Sequence, residues 1–171
     1  IQDFFFKQFD IDIRKCLFLG FVYITTPIII FFYIKSLDVG PTLLFWMLII
    51  VCSTDIFSYI FGNIIKGKKI FPILSPSKTY SGTISGLVLG TICGIFFSSI
   101  FLEIKKIYIN IFFSFIISFF SFLGDLFISY VKRSFTIKDS GNILPGHGGL
   151  LDRYDSVSFG LIILFFLHNF I

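Results

Sequence analysis

Residues 138–156 read KDSGNILPGHGGLLDRYDS, a polar, glycine-punctuated run in a chain of which 56% is hydrophobic. Asp152 and Asp155 stand three residues apart, on one face of any helix that begins there, with Arg153 beside them. Earlier in the chain, Asp125 is followed by Ser129, Lys132 and Arg133 at i+4, i+7 and i+8, so one helical face leads from an acid to a cationic rim. Lys138 and Asp139 come next. Carboxylates grouped with Lys and Arg, rather than with His and Cys, suit a hard, oxygen-ligated cation such as Mg²⁺ shared with substrate phosphates, and disfavour zinc. From Lys132 to Asp155 there are four cationic side chains and three aspartates; Asp125 makes the set neutral, and one divalent ion brings it to +2. That balance fits a site that holds a metal and receives anionic phosphates. His147 lies among Pro145 and glycines with no second His or Cys near it. A loop-ordering or phosphate-contacting role suits it better than general acid or base chemistry.

The elements that must position these residues are membrane helices. Only 14% of the 171 residues are charged, against about 25% in soluble domains. Five stretches, 16–34, 41–62, 80–102, 107–131 and 156–171, approach the roughly 20 apolar residues needed to cross a hydrocarbon core. The last is short. No alternating ten-residue pattern favours a barrel, so the expected fold is all-α, a polytopic transmembrane helical bundle forming a single integral membrane domain over 1–171. Eleven cations (Lys7, Arg14, Lys15, Lys66, Lys68, Lys69, Lys78, Lys132, Arg133, Lys138 and Arg153) fall on one side of these spans and only Lys35, Lys105 and Lys106 on the other. The excess predicts that the long polar loops face the cytoplasm. Composition rich in Phe, Ile, Lys, Asn and Tyr suggests an AT-rich bacterial genome, hence a bacterial inner (cytoplasmic) membrane. The chain opens on Ile1 rather than Met, without a cleavable signal, and is expected to be the C-terminal portion of a longer protein. Cys16, Cys52 and Cys93 have neither metal-ligand nor disulfide spacing.

Two acids stand within apolar spans. Asp55 lies seven residues before Gly62 and Asp125 seven before Lys132, so each is about 10 Å below its cytoplasmic helix end at 1.5 Å per residue. Matching depth on different helices predicts a shared polar pocket. Gly82, Gly86, Gly90 and Gly94 recur at i+4 along the third span. This small-xxx-small pattern predicts tight helix packing, ahead of a ligand groove or a homodimer seam.

The stretch SYVKRSFTIKDSGNILPGHGGLLDRYDS, Ser129 to Ser156, resembles the signature of the phosphatidate cytidylyltransferases, or CDP-diacylglycerol synthases, across Ser129, Lys132, Arg133, Lys138, Asp139, Pro145 to Gly149, Asp152, Arg153 and Asp155. Upstream, TDIFSYIFGNIIKGKKIFPILSPSKTYSG is similar to the family's second block, with Ser77, Tyr80 and Ser81 where the family more usually has a basic residue, Trp and Glu. The resemblance spans nearly the whole chain from about residue 16 and looks like the catalytic, C-terminal part. It implies an integral membrane enzyme that converts CTP and phosphatidic acid to CDP-diacylglycerol and pyrophosphate. It implies Mg²⁺ held by the acids matching Asp125 and Asp152, with a second cation such as K⁺ nearby. Within that scheme Asp155 completes the metal shell or orients a ligand, and Ser129 ligates or bonds a phosphate. Lys132, Arg133, Lys138 and Arg153 bind phosphates, with Lys78 and Ser75 contributing from the other loop and His147 contacting substrate.

A CTP-dependent lipid kinase of the polyprenol or dolichol type is the nearest alternative, since it too joins a cytosolic nucleotide to a membrane lipid. A transporter predicts intramembrane acids without a phosphate-type cationic loop, and this chain has that loop. Expected partners are CTP, phosphatidic acid and membrane lipid, with a homodimer conceivable and no nucleic acid.

Overall fold

In the computed structural model the described residues are 13–72, 74–102, 104, 106–134 and 151–170; the side chains of 13–17, 19, 76, 77 and 151–153 lie outside the description. Helices α1 (Ile13–Lys35), α2 (Gly40–Ile65), α3 (Tyr80–Phe101), α4 (Ile107–Ser134) and α5 (Leu151–Leu167) follow one another, and a 3₁₀ turn, His168–Phe170, closes the described chain. Each of the five expected stretches falls largely on one of these helices. By length and composition α2, α3 and α4 are each able to cross a membrane, while Gly20–Lys35 and Tyr154–Phe170 are shorter apolar helices. Together they make an all-α, multi-pass membrane protein. Exposed Phe and Ile side chains, Phe21, Phe32, Phe45, Ile84 and Phe96 among them, cover its outer surface, which fits immersion in lipid.

One element departs from the sequence expectation. The connection after α2 contains a two-stranded antiparallel hairpin, β1 (Lys69–Phe71) and β2 (Ser75–Thr79). Its formation follows from local chemistry on both sides. Helix α2 ends with Lys66 in the left-handed region (φ 49°), its N–H bonded to the Gly62 carbonyl at 3.3 Å, which turns the chain sharply. Thr79 then ends β2 in extended conformation and caps α3, its hydroxyl accepting from the Gly82 N–H at 3.2 Å. Lys69 pairs with Thr79 and Phe71 with Ser75, so β2 carries extra residues and bulges. Lys78 therefore sits on a short, bent ribbon directly before a helix start.

The glycine face of α3 is filled by α2. A Cβ on Gly86 would collide with the Ser58 hydroxyl and lie 2.6 Å from the Thr54 carbonyl oxygen, and one on Gly82 would lie 2.5 Å from the Ser58 carbonyl oxygen. The tight-packing reading of the stripe holds, and the seam is within the chain. Small polar residues line the third helix at this seam. Thr54 and Ser118 hydroxyls meet at 2.7 Å, Trp46 Nε1 donates to the Gly94 carbonyl at 2.9 Å, and Ser98 donates to Asn110 Oδ1 at 2.6 Å. The apolar core, with Ile34, Trp46, Met47, Ile50, Ile117 and Leu164 all fully buried, occupies the half of the bundle away from the hairpin. The half beneath the hairpin is left for polar groups.

This seam makes a graded prediction. At Gly94 the nearest obstacle to a methyl group is the flexible Ile50 side chain, at 2.6 Å, whereas at Gly86 backbone is among the obstacles. Gly86→Ala should lower the thermal midpoint of the purified protein in detergent by more than Gly94→Ala does, with overpacking costs of about 1–3 kcal/mol at Gly86. Equal midpoints would contradict the α2–α3 packing.

Candidate active site

Beneath the hairpin lies a cavity of about 260 Å³. Helix α2 contributes Asp55, Ser58, Tyr59 and Asn63; the hairpin and the start of α3 contribute Lys78, Thr79 and Thr83; α4 contributes Phe122 and Asp125; and α5 contributes Ser156. Five separate elements thus converge on one polar space. Asp55 and Asp125 share it, as their matched depths predict. Asp55, Ser58 and Tyr59 fall within a single turn of α2, and Phe122 and Asp125 lie three residues apart on α4, so helical spacing alone presents each group together.

Within the cavity Lys78 Nζ and Asp125 Oδ2 form an ion pair. Neither partner is freely solvated: the side chains are 19% and 30% exposed. The Lys78 ammonium also lies 4.6 Å from the centre of the Phe122 ring, a cation–π contact that holds it over the α4 face. A lysine expected from sequence to meet phosphate is thus positioned against the acid expected to meet metal. Arg133, at the end of α4, donates from Nε to the Leu74 carbonyl at 3.4 Å, tying that helix to the turn of the hairpin. Ser75 begins β2 and is partly buried. Ser129 and Lys132 are also partly buried on α4.

Asp155 completes the arrangement from α5. It is 2% exposed, the most withdrawn of the described candidate acids, and its charge is felt together with those of Asp125, Lys132 and Asp55. Its Oδ1 accepts the Ser156 N–H at 2.7 Å. Asp152 and Arg153 lie in the first turn of α5 by backbone, and their side chains are outside the description; Lys138, Asp139 and His147 are outside the described residues altogether. Among the described residues no three His, Cys, Asp or Glu close into a ready metal cluster. The donor chemistry nevertheless suits a hard divalent ion: Asp55 and Asp125 in the lining, and Asp155 next in sequence to the lining residue Ser156, offer oxygen only, and Lys78 supplies counter-charge.

Sequence reasoning did not single out Ser58, Asn63, Thr83, Phe122 or Ser156 as site residues. Ser58 stands three residues after Asp55, Phe122 three before Asp125, Thr83 four after Thr79, and Ser156 next to Asp155. Helical periodicity from residues already chosen was the available signal for most of them.

The ion pair predicts a particular pattern of damage. Lys78→Met leaves Asp125 without its cation in a partly apolar site, so it should destabilise the protein more than Lys78→Met combined with Asp125→Asn. A coupling energy of about 0.5–3 kcal/mol is expected from thermal denaturation of the two single variants and the double. Strict additivity would show that the two side chains do not interact.

Comparison with known proteins gives a consistent picture. A family model described as the cytidylyltransferase family matches residues 5–171. A phosphatidate cytidylyltransferase of Rickettsia bellii is 42% identical over 160 residues, covering 90% of this chain and 69% of the relative. Proteins of the same name from Helicobacter pylori strain 26695 and Bacillus subtilis are 42% and 38% identical, covering 76% and 94% of this chain and 50% and 60% of the relatives.

Proposed function

The chain belongs to the cytidylyltransferase family, and from that premise we propose that it transfers the cytidylyl group of CTP to phosphatidic acid, giving CDP-diacylglycerol and pyrophosphate. The observation that carries this reading is the placement of Lys78 and Asp125 in one cavity, with Asp155 and Lys132 in charge reach of it, inside a bundle of apolar helices. A cytosolic triphosphate and a lipid phosphate both require cations, and the lipid's tails require an apolar surround. This architecture supplies the two together. The CTP-dependent lipid kinase and the transporter are not favoured, because the relatives are named for cytidylyl transfer.

In the proposed reaction a phosphate oxygen of phosphatidic acid attacks the α-phosphorus of CTP. The bond from that phosphorus to the oxygen bridging the α- and β-phosphates breaks, and its electron pair leaves on pyrophosphate. Little covalent chemistry is asked of the protein, so positioning and charge neutralisation carry the catalysis. Asp125, Asp152 and Asp155 are the proposed holders of Mg²⁺, which when bound supplies charge stabilisation at the phosphates; K⁺ is the candidate for a second cation. Lys132 and Arg133, with Lys138 and Arg153 from the following segment, bind the triphosphate and lipid phosphate. Lys78 exchanges between Asp125 and substrate phosphate, with Ser75 and Ser129 as hydrogen-bonding partners and His147 as a contact to substrate. Repulsion among anionic oxygens falls as these cations converge, and that relief is larger in a partly desolvated cavity than in water.

The excess of Lys and Arg on one side of the spans supports placement in a bacterial inner membrane with the catalytic loops facing the cytoplasm. A cysteine introduced at residue 140 should accordingly react with an impermeant thiol reagent from the cytoplasmic side only. Labelling from the opposite side would reverse the topology.

The catalytic reading is tested with labelled CTP and phosphatidic acid in membranes carrying the full-length protein. Product should be CDP-lipid with release of pyrophosphate, and Asp125→Asn or Asp152→Asn should each reduce it by at least about a hundredfold, given losses of 10²–10³ for single electrostatic groups. Release of CDP instead of pyrophosphate would establish the kinase. Full activity in both variants would refute the metal assignment.

A further inference from the structure

Asp155 is held from outside the two stretches that carry the family resemblance. The Ser158 hydroxyl donates to the Asp155 carbonyl at 2.8 Å. Ser158 is fully buried, and its Oγ lies 2.7 Å from the Tyr23 hydroxyl of α1. A serine has one hydroxyl hydrogen, already committed to the Asp155 carbonyl, so Tyr23 must be the donor in that pair. The result is a directional relay from the Tyr23 O–H to Ser158 and on to the Asp155 backbone.

Independent contacts hold the same junction. The Tyr154 hydroxyl donates to the Ile24 carbonyl at 2.7 Å, so adjacent residues of α1 grip the first turns of α5. The Tyr23 ring meets Tyr154 edge-on at 6.0 Å and lies 6.5 Å from Phe159. From the opposite side α4 presses in at Gly124, where a Cβ would lie 2.8 Å from the Asp155 carbonyl oxygen and 2.8 Å from the Phe159 ring. The backbone of Asp155 is therefore clamped between the Ser158 hydroxyl and the residue preceding Asp125.

We propose that Tyr23 is a positioning residue for Asp155: by fixing the Ser158 hydroxyl on the Asp155 carbonyl, it holds the first turns of α5 against Gly124 and keeps the Asp155 carboxylate in register with Asp125. Helix α1 thereby becomes part of the site without touching substrate. What Asp155 serves rests on the functional reading above, and the role of Tyr23 is read out separately from it.

Tyr23→Phe removes the hydroxyl and keeps the ring contacts. In full-length protein in lipid nanodiscs, the half-saturating Mg²⁺ concentration for CDP-lipid formation should rise about threefold to tenfold, the effect of losing one buried hydrogen bond, with a smaller change in kcat at saturating Mg²⁺. Ser158→Ala should do the same, and the double variant should be no worse than the larger single one, since both interrupt one relay. Thr25→Val, next to Ile24 but with its hydroxyl bonded, among the described residues, to the Phe21 and Val22 carbonyls of its own helix, should leave the Mg²⁺ dependence unchanged. Mn²⁺ binding followed by electron paramagnetic resonance should weaken in Tyr23→Phe and Ser158→Ala in parallel. Unaltered Mg²⁺ dependence and Mn²⁺ binding in Tyr23→Phe, or additive effects in the double variant, would overturn the proposal. If the unaltered protein binds Mn²⁺ yet makes no CDP-lipid, the functional reading fails, and the Mn²⁺ titration alone decides the role of Tyr23. If Tyr23→Phe does not accumulate, Ser158→Ala interrogates the relay from its other end.

Discussion

Placing charge inside an apolar bundle is the constraint that organises this protein. A lone carboxylate within a membrane helix is costly, by about 2.5–3.5 kcal/mol even on lenient insertion scales. Asp125 has Lys78 against it. For that to happen a cation must be brought to α4 from a different part of the chain, and the hairpin between α2 and α3 is the device that brings it. The αL residue Lys66 turns the chain out of α2, the bulged ribbon carries it back, and the Thr79 cap restarts the helix with Lys78 already in place. The ion pair and the cavity are thus consequences of one local chain reversal.

The hairpin delivers Lys78 to the right depth only because α2 and α3 lie unusually close. The glycines of α3 permit that approach, and the hydroxyls of Thr54 and Ser118 extend the contact to α4. Lipid tails offer no hydrophobic drive for helices to associate, so close backbone packing and interhelical hydrogen bonds carry more of the stability than they would in water. The apolar core is confined to the far half, where Trp46, Met47 and Leu164 fill the space. Rigid packing at one end and a polar cavity at the other fit a site whose function requires fixed charges and an opening for substrate.

Much of this was legible in the amino-acid sequence. The five helices follow from apolar length, and the sharing of one cavity by Asp55 and Asp125 follows from equal distances to the helix ends. The hairpin was not legible, because three- and five-residue strands with two lysines and a proline carry no alternating apolar pattern. Nor was the pairing of Lys78 with Asp125, residues 47 positions apart on separate elements. Burial order was likewise hidden. Asp125 and Asp55 sit in apolar stretches, yet Asp155, at the polar entrance of the last helix, is the most shielded from solvent of the described acids. Shielding there comes from α1 and α4 packing on α5, and no local pattern around residue 155 records it.

That last contrast bears on how the site works. Asp125 is paired with a cation on a short, bent ribbon, held there by the ion pair and by the Phe122 ring. Asp155 is fixed through its own backbone, with Ser158 on its carbonyl and Gly124 pressed behind it. Asp125 thus depends on a cation brought from a separate element, and Asp155 on the packing of its own helix. The asymmetry of support between the two acids is set by which helices pack on which side of α5.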